Sequence, residues 1–306
     1  VLDEAIINYK KSIEINANYA QAYNNLGIAF HKLNKIDTAI KNYKKALSLK
    51  KDFAEAFNNL GNAYIDFDKP KDSLQYFNKA LEFNPSYAEA YYSLGAANEK
   101  LGNKNDALKN YQKATEIKPD YAEAYNSLGT LYSNLSKFDE SLSNYKKAIQ
   151  LKKNYEKAYN NLGNLLSNLG KFDEATNAYK QAIKIKPDYP KAYSNLLFNL
   201  IYKTDFDLNY YLSEAKKFRL NCKTIKKLKF TYKYETNPKK LRVGFVSADF
   251  GNHPGGYFAL SLLRELRKKN FELIAYPTIE RKDELSHHFK PLFSKWSLIK
   301  KKDDEN

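Results

Sequence analysis

A four-residue motif recurs at a fixed spacing of 34 residues over the first two thirds of the chain. It reads NNLG, NNLG, YSLG, NSLG and NNLG, and a sixth copy, SNLL, keeps the same register. The first five copies end in the glycines Gly27, Gly61, Gly95, Gly129 and Gly163. A period of about 20–50 residues is typical of repeat proteins, whose units pack only on their neighbours. This period therefore constrains the fold more than any other feature of the sequence.

Other columns share the period. Large apolar residues recur at helical spacing in both halves of each unit, which predicts a pair of helices per unit. An aromatic column is formed by Tyr23, Phe57, Tyr91, Tyr125, Tyr159 and Tyr193, and an alanine column by Ala46, Ala80, Ala114, Ala148 and Ala182. Packing explains both columns, because small residues let two helices approach closely and aromatic rings fill the gaps between units.

This pattern resembles the tetratricopeptide repeat, with residues 1–18 as the second helix of a unit cut at its start. The fold is therefore predicted to be mainly α. Residues 1–203 are expected to form an elongated right-handed superhelix with a long concave groove, which the first helix of each unit lines.

A polar row precedes the repeated leucine on the first helices: Asn25, Asn59, Ser93, Ser127, Asn161 and Asn195. A carboxamide has one acceptor and two donors, so stacked asparagines can hold the backbone of an extended peptide whatever its side chains are. We take Asn25, Asn59, Asn161 and Asn195 as candidate peptide-binding residues. The alternative is that they are solvated residues without a ligand, since such units favour asparagine here.

A clamp for a terminal carboxylate is not expected. Such a clamp needs lysine or arginine on the groove-facing positions. The neighbours of the polar row carry no positive charge: Asn24, Asn58, Tyr92, Asn126 and Asn160.

The period breaks after Leu200. Residues 201–220 are predicted to form a divergent closing helix pair, and residues 204–240 as a whole to connect the repeats to a second domain. Between Lys216 and Arg242 there are eleven basic residues and one acidic residue, Glu235, which gives +10 of the net charge of +16. Such a charge could indicate nucleic acid. No nucleic-acid-binding motif accompanies it, so we interpret the stretch as a solvated connecting face.

Residues 241–306 begin with a different pattern. The segment LRVGFVS predicts a buried strand, DFGNHPGG a turn, YFALSLLRELRKKN an amphipathic helix, and FELIAYP a second strand. Together they predict a β-α-β unit, the beginning of a parallel sheet. Ligands bind at the carboxyl ends of such strands, which makes His253 in the turn a candidate catalytic residue, although a lone histidine is more often structural.

The repeats followed by LRVGFVSADFGNHP resemble the protein O-linked N-acetylglucosamine transferases and their bacterial relatives. The resemblance implies a GT-B type enzyme with two Rossmann-like lobes. It would transfer N-acetylglucosamine from UDP-N-acetylglucosamine to Ser or Thr hydroxyls of proteins held in the groove, without a metal. It also implies that His253 lies in the active site, either as a base or as a ligand of the donor.

The family's asparagine row falls on Asn25, Asn59, Asn161 and Asn195, and Ser93 and Ser127 interrupt it. Residues 241–306 supply only the start of a catalytic domain, so this chain by itself is expected to be inactive. The sequence begins with Val1 and contains no methionine, which predicts a segment of a longer reading frame. The alternative function is a non-enzymatic scaffold for protein–protein interaction.

Composition adds little to this choice. Cys222 is the sole cysteine and the chain contains no cluster of cysteine and histidine, so we expect neither a disulfide nor a metal site. No run of apolar residues is long enough for a membrane span. These features favour a reducing, cytoplasmic setting, with no cofactor beyond the sugar donor.

Overall fold

A computed structural model describes residues 2–205, 207–222, 241–247, 250, 254–268, 271–277 and 283–298. They belong to two compact units, Val1–Lys227 and Leu228–Asn306. The described helices of the first unit are α1 (Leu2–Ile15), α2 (Ala20–Lys32), α3 (Ile36–Leu49), α4 (Ala54–Asp66), α5 (Pro70–Phe83), α6 (Ala88–Lys100), α7 (Lys104–Ile117), α8 (Ala122–Asn134), α9 (Phe138–Leu151), α10 (Glu156–Asn168), α11 (Phe172–Ile185), α12 (Pro190–Ile201) and α13 (Leu208–Asn221).

Helices of the first unit alternate between two roles. The even-numbered helices α2 to α12 carry the repeated motif, and each packs on the helix that follows it within the same repeat. Each odd-numbered helix from α1 to α11 also packs on the first helix of the next repeat. Because every helix contacts only near neighbours in sequence, the array is the mainly helical superhelix that the period predicts.

The repeat core lies between the two helices of each repeat. Tyr43, on the second helix α3, is buried with its ring against Gly27 of α2. The same contact recurs in the following repeats, between a glycine of the first helix and one of the rings of Phe77, Tyr111, Tyr145 and Tyr179. The predicted aromatic column does not supply these rings but lies between repeats. Tyr23, for example, packs beside Ala46 and Phe53 where two repeats meet.

The array continues past residue 203. A single described helix, α13, follows α12 and packs on it, with the Tyr193 and Phe218 rings stacked at 5.5 Å between centroids. Residues 208–221 therefore form a closing helix of the last repeat, where a closing helix pair was predicted over residues 201–220. The stretch predicted as a basic connector lies mostly outside the described residues.

The second unit contains a small parallel sheet. Its strands β1 (Leu241–Ser247), β2 (Phe271–Pro277) and β3 (Lys295–Trp296) are arranged in that order, and both pairings are parallel. Helix α14 (Pro254–Arg267) joins β1 to β2, and the short α15 (Glu284–Phe289) precedes β3. Leu263, Leu273 and Phe289 form the core, and Trp296 packs against it. The predicted β-α-β order is thus present.

Two absences apply to the described part of the chain alone. No helix in it is both long and apolar enough to span a bilayer. Its histidine, cysteine and carboxylate side chains form no cluster of three that could hold a metal ion. The adjacent His287 and His288 are both exposed at the end of α15.

Candidate peptide-binding face

The first helices of successive repeats lie side by side. Helix α2 contacts α4, α4 contacts α6, α8 contacts α10, and α10 contacts α12. In a stack of helix pairs, the helices that contact their counterparts in the next repeat line the inner, concave side. This face carries the polar row, which we call the carboxamide row: Asn25, Asn59, Ser93, Ser127, Asn161 and Asn195.

The carboxamide row is half-buried and links the repeats to one another. The side-chain Nδ2 of Asn59 donates to Oδ1 of Asn24 in the preceding repeat at 3.1 Å. The same bond joins Asn161 to Asn126 at 3.1 Å and Asn195 to Asn160 at 3.0 Å. Each of these amides therefore stabilises an interface between repeats with one of its hydrogens.

The remaining hydrogen-bonding capacity differs along the row. Among the described residues, no other group bonds the second N–H or the carbonyl oxygen of Asn59 or of Asn161. Asn195 gives its second N–H to Oδ1 of Asn164 at 2.9 Å, and that oxygen also accepts from the Tyr179 hydroxyl at 2.9 Å. Asn25 accepts from Gln21 through its Oδ1. Asn164 lies one turn after Asn161 on α10, and Tyr179 lies on the following helix, α11. Neither residue was predicted from the sequence.

Serines interrupt the row in the middle, as the sequence shows, and an aromatic cluster stands there. Ser93 is 7% exposed, and the Ser127 hydroxyl donates to the Tyr92 hydroxyl at 3.4 Å. The Tyr92 ring lies 5.5 Å from that of Tyr111 and 5.1 Å from that of Tyr121, centroid to centroid. The two carboxamide segments of the face are therefore separated by tyrosine rings.

Three of the five neighbours of the carboxamide row do not face the groove. Asn24 and Asn160 are 0% exposed and Asn58 is 5% exposed, because they lie between repeats. The lack of charge at these three positions therefore does not describe the groove, whereas the partly exposed Tyr92 and Asn126 are uncharged as well. The absence of a clamp for a terminal carboxylate stays a prediction.

The groove-facing partners of the row lie four residues before it, one helical turn away. We call these positions the groove-edge row: Gln21, Glu55, Glu89, Glu123, Lys157 and Lys191. Their place is shown by the Gln21–Asn25 bond and by the bond of 3.1 Å from Asn24 Nδ2 to Glu55 Oε1. The sequence could have revealed these positions, because residues four apart on a helix lie on the same face and each groove-edge residue precedes a carboxamide-row residue by four.

Two acidic residues of the groove-edge row are paired within the array. Lys118 Nζ lies 2.7 Å from Glu89 Oε1, and Lys152 Nζ lies 2.8 Å from Glu123 Oε1. Partial burial acts to raise the pKa of both carboxyl groups, but the hydrogen bonds and charges of the lysines outweigh it, so both pKa values are lowered. Glu89 and Glu123 are therefore ionised and neutralised at neutral pH.

His253, the candidate catalytic residue, lies outside the described residues, as does most of the turn around it. The described flanks of that turn are strand β1, which ends at Ser247, and helix α14, which begins at Pro254. Its role in an active site stays a prediction.

Family models match most of the first unit. The model described as TPR repeat matches residues 2–34, 29–66, 100–136 and 134–170. Two models described as tetratricopeptide repeat match residues 54–87 and 156–189, and residues 76–109. Together the matches extend without a gap from residue 2 to residue 189.

Solved structures resemble the chain over a similar extent. MamA is 30% identical over 55% of this chain and 92% of its own, with a TM-score of 0.46. YrrB, described as a TPR protein with an unusual peptide-binding site, is 28% identical over 60% and 95%, with a TM-score of 0.46. PilF of Pseudomonas aeruginosa is 16% identical over 67% and 90%, with a TM-score of 0.58, which shows a shared fold. A search of curated protein sequences finds no match.

Proposed function

Because this chain belongs to the tetratricopeptide repeat proteins, we propose that it is an interaction scaffold whose concave face binds an extended segment of another protein. The observation that carries the proposal is the carboxamide row. At Asn59 and Asn161 it presents an unused N–H and a carbonyl oxygen on the inner helices. Such pairs match the N–H and C=O of a peptide backbone.

The experiment is a selection followed by titration calorimetry. A displayed library of short unstructured peptides is selected on the protein, and the best binder is titrated against a variant with alanine at Asn25, Asn59, Asn161 and Asn195. Each lost hydrogen bond costs about 0.5–1.5 kcal/mol, so we expect affinity to fall by at least ten-fold. Thermal stability will fall as well, because three of these amides also join repeats.

A matched control distinguishes an effect of the groove asparagines from an effect of replacing any four asparagines. Four exposed asparagines outside the first helices are replaced by alanine: Asn78, Asn105, Asn154 and Asn177. This control should bind the peptide as the unmodified protein does. Equal affinity in both fourfold variants, measured well below their melting temperatures, would contradict the proposal.

The β-α-β arrangement favours a second candidate function, protein glycosyl transfer. Strands β1 and β2 are parallel and in register from Leu241↔Phe271 to Ser247↔Pro277, and α14 connects them. In such sheets ligands bind where a strand passes into the next helix, which is where His253 stands in the sequence. On this proposal UDP-N-acetylglucosamine is the donor, Ser or Thr hydroxyls are the acceptors, and no metal takes part.

This candidate is tested by sugar transfer from labelled UDP-N-acetylglucosamine, assayed with the full natural reading frame and with residues 1–306. We expect transfer only from the former, since stabilising a departing UDP needs donors around both phosphates. His253→Ala should lower the rate by about 100-fold if the imidazole is a base. Unchanged transfer with an unchanged melting temperature would show that His253 is an ordinary loop residue. Loss of the native fold in this variant would favour a structural role.

A further inference from the structure

The charge of the groove-edge row reverses along the array. It is acidic at Glu55, Glu89 and Glu123 and basic at Lys157 and Lys191. These five residues hold equivalent positions in consecutive repeats, so their side chains stand at equivalent places on the concave face. The reversal therefore separates an acidic part of the face from a basic part at its C-terminal end.

The acidic part is satisfied by the protein itself. Glu55 accepts from the buried amide of Asn24, and Glu89 and Glu123 accept from the ammonium groups of Lys118 and Lys152. A ligand gains little from charges that already have partners, because it would have to compete with contacts of 2.7–3.1 Å. The acidic part is thus a poor site for a cationic ligand.

The basic part lacks such partners. Among the described residues, neither Lys157 nor Lys191 has a carboxylate at ion-pair distance, and both side chains are exposed. Lys186 holds the position in its repeat that Lys118 and Lys152 hold in theirs, and its Nζ lies 5.5 Å from the centre of the Tyr189 ring. Lys118 and Lys152 each pair with a glutamate 29 residues before them, whereas the residue 29 before Lys186 is Lys157.

Two acidic residues lie near this group in sequence. Glu156 precedes Lys157, at a position where other repeats have the buried alanines Ala88 and Ala122. Asp188 lies in the turn before α12 and has interactions of its own. They reduce the net positive charge of this end of the face.

A buried donor without a partner lies on α10, in the repeat before that of Lys191. Asn160 is 0% exposed, its Oδ1 accepts from Asn195, and its Nδ2 has no hydrogen-bond partner. Because Oδ1 is engaged, the orientation of this amide is fixed. Leaving such a donor unsatisfied costs about 1–3 kcal/mol, so its retention calls for an acceptor from elsewhere.

The first repeats show which acceptor fits. Asn24 is the equivalent of Asn160, and its Nδ2 donates to the carboxylate of Glu55 at 3.1 Å. The residue equivalent to Glu55 next to Asn160 is Lys191, which has no acceptor. In the first repeats this pair of positions holds an amide donor and a carboxylate acceptor. At Asn160 the amide donor is kept, but in the next repeat the cation of Lys191 takes the position of the carboxylate.

We propose that a carboxylate of the bound segment fills this place, so that the basic end of the groove selects an acidic peptide. An Asp or Glu side chain accepts from Asn160 Nδ2 and is neutralised by Lys157 and Lys191. The Lys191 side chain moves aside to admit it. This inference rests on the proposed peptide-binding function and adds the charge of the partner to it.

The test is the single change Lys191→Glu, which supplies the carboxylate from the protein itself. Two opposite results are expected. The melting temperature rises relative to Lys191→Gln, because Asn160 gains the bond that Asn24 already has. Affinity for a capped Ala/Glu peptide falls by at least ten-fold, because the place is filled and a positive charge has become negative.

Two comparisons make the test specific. Lys146→Glu makes the same charge change at an exposed position of the second helix α9, and it should leave peptide affinity within about two-fold, as expected for a screened charge away from the groove. The matched Ala/Gln peptide should bind the unmodified protein at least ten-fold more weakly than the Ala/Glu peptide.

Each contrary outcome has its own meaning. Equal binding of the Glu and Gln peptides overturns the acidic-partner inference and leaves the scaffold proposal standing, whereas failure to bind any peptide overturns both. Equal losses in Lys191→Glu and Lys146→Glu also overturn the inference, since the effect would then be one of net charge. Tighter binding of a single-stranded oligonucleotide than of the Glu peptide overturns it in favour of nucleic acid.

Discussion

At the scale of the residue, the repeated glycine is fixed by lack of space. A Cβ built on Gly129 would lie 2.6 Å from Cδ1 of Tyr145, and every glycine of this column meets a ring of the second helix at similar distances. These glycines have ordinary helical backbone angles, so their need is the close approach of an aromatic ring rather than an unusual conformation. The ring in turn fills the core of the repeat.

Gly129→Ala should therefore destabilise the protein. Overpacking a core costs about 1–3 kcal/mol, and the better helix propensity of alanine recovers only about 1 kcal/mol of that. We expect a lower midpoint in chemical denaturation monitored by circular dichroism. Asn134→Ala, an exposed change at the end of the same helix, should stay within about 0.5 kcal/mol of the unmodified protein. A midpoint for Gly129→Ala at or above that of the unmodified protein would show that the ring yields freely.

At the scale of the element, the helices of the repeats begin without side-chain caps. The residues before α2, α4, α6, α8 and α10 are aromatic and none caps its helix through a side chain. Short helices without caps depend on tertiary packing for their stability. Helix α13 is different, because the Asp207 carboxylate accepts from the backbone N–H of Asn209 and of Tyr210.

Replacing Asp207 by alanine should loosen α13 selectively. Loss of such a cap costs about 0.5–2 kcal/mol, and α13 is the last described helix of the array, with one principal neighbour. Hydrogen exchange should become faster in α13 than in the unmodified protein, and stay unchanged in α6 and α8. Asp207→Asn keeps an oxygen acceptor and should preserve the slow exchange. Faster exchange in both variants would indicate that charge, not capping, stabilises the helix.

At the scale of the whole molecule, stability is spread over many equivalent interfaces. Helix α1 buries none of its residues, whereas helices in the middle such as α6 bury alanines, a leucine and polar residues on several sides. Tyrosines are buried at many of these interfaces. Their hydroxyl groups lie in surroundings of reduced polarity, which opposes ionisation.

The array should consequently unfold in alkali. Burial, reinforced by the charge of Glu55, raises the pKa of Tyr87 to about 12, and burial raises that of Tyr179 to about 12. A pKa above the unfolded value of 10 means that the unfolded chain releases protons more readily. The contribution to stability is therefore complete below pH 10 and is lost as pH rises towards about 12.

Tyrosinate absorbance and circular dichroism measured together over this pH range test the prediction. The part of the absorbance change that comes from the buried tyrosines should occur together with the loss of the helical signal, in one cooperative step. Tyrosinate formation that is complete while the helical signal is intact would contradict it.

The sequence by itself determined the periodic features of this protein. The spacing of 34 residues predicts two helices per repeat, and strands β1 and β2 begin and end at the residues that their apolar runs predict. These features depend on neighbours within one helix or strand, which the sequence displays directly. The closing helix pair predicted for residues 201–220 is a single helix there, α13, which packs on α12, because the break in the period hides where the last repeat ends.

Only the tertiary structure decided which polar residues of the repeats face a ligand. In the sequence Asn24 and Asn25 are adjacent and equivalent in chemistry, yet Asn24 is buried between repeats and Asn25 is half-exposed. The partners of Asn24 are Glu55 and Asn59, 31 and 35 residues away in the next repeat, so the angle between stacked repeats sets these contacts. Asn25 bonds Gln21 on its own helix. In the repeat after that of Asn160 the position equivalent to Glu55 is held by Lys191, and the Nδ2 of Asn160 has no partner among the described residues. No rule within one helix relates residues on different repeats, so the sequence could not show this.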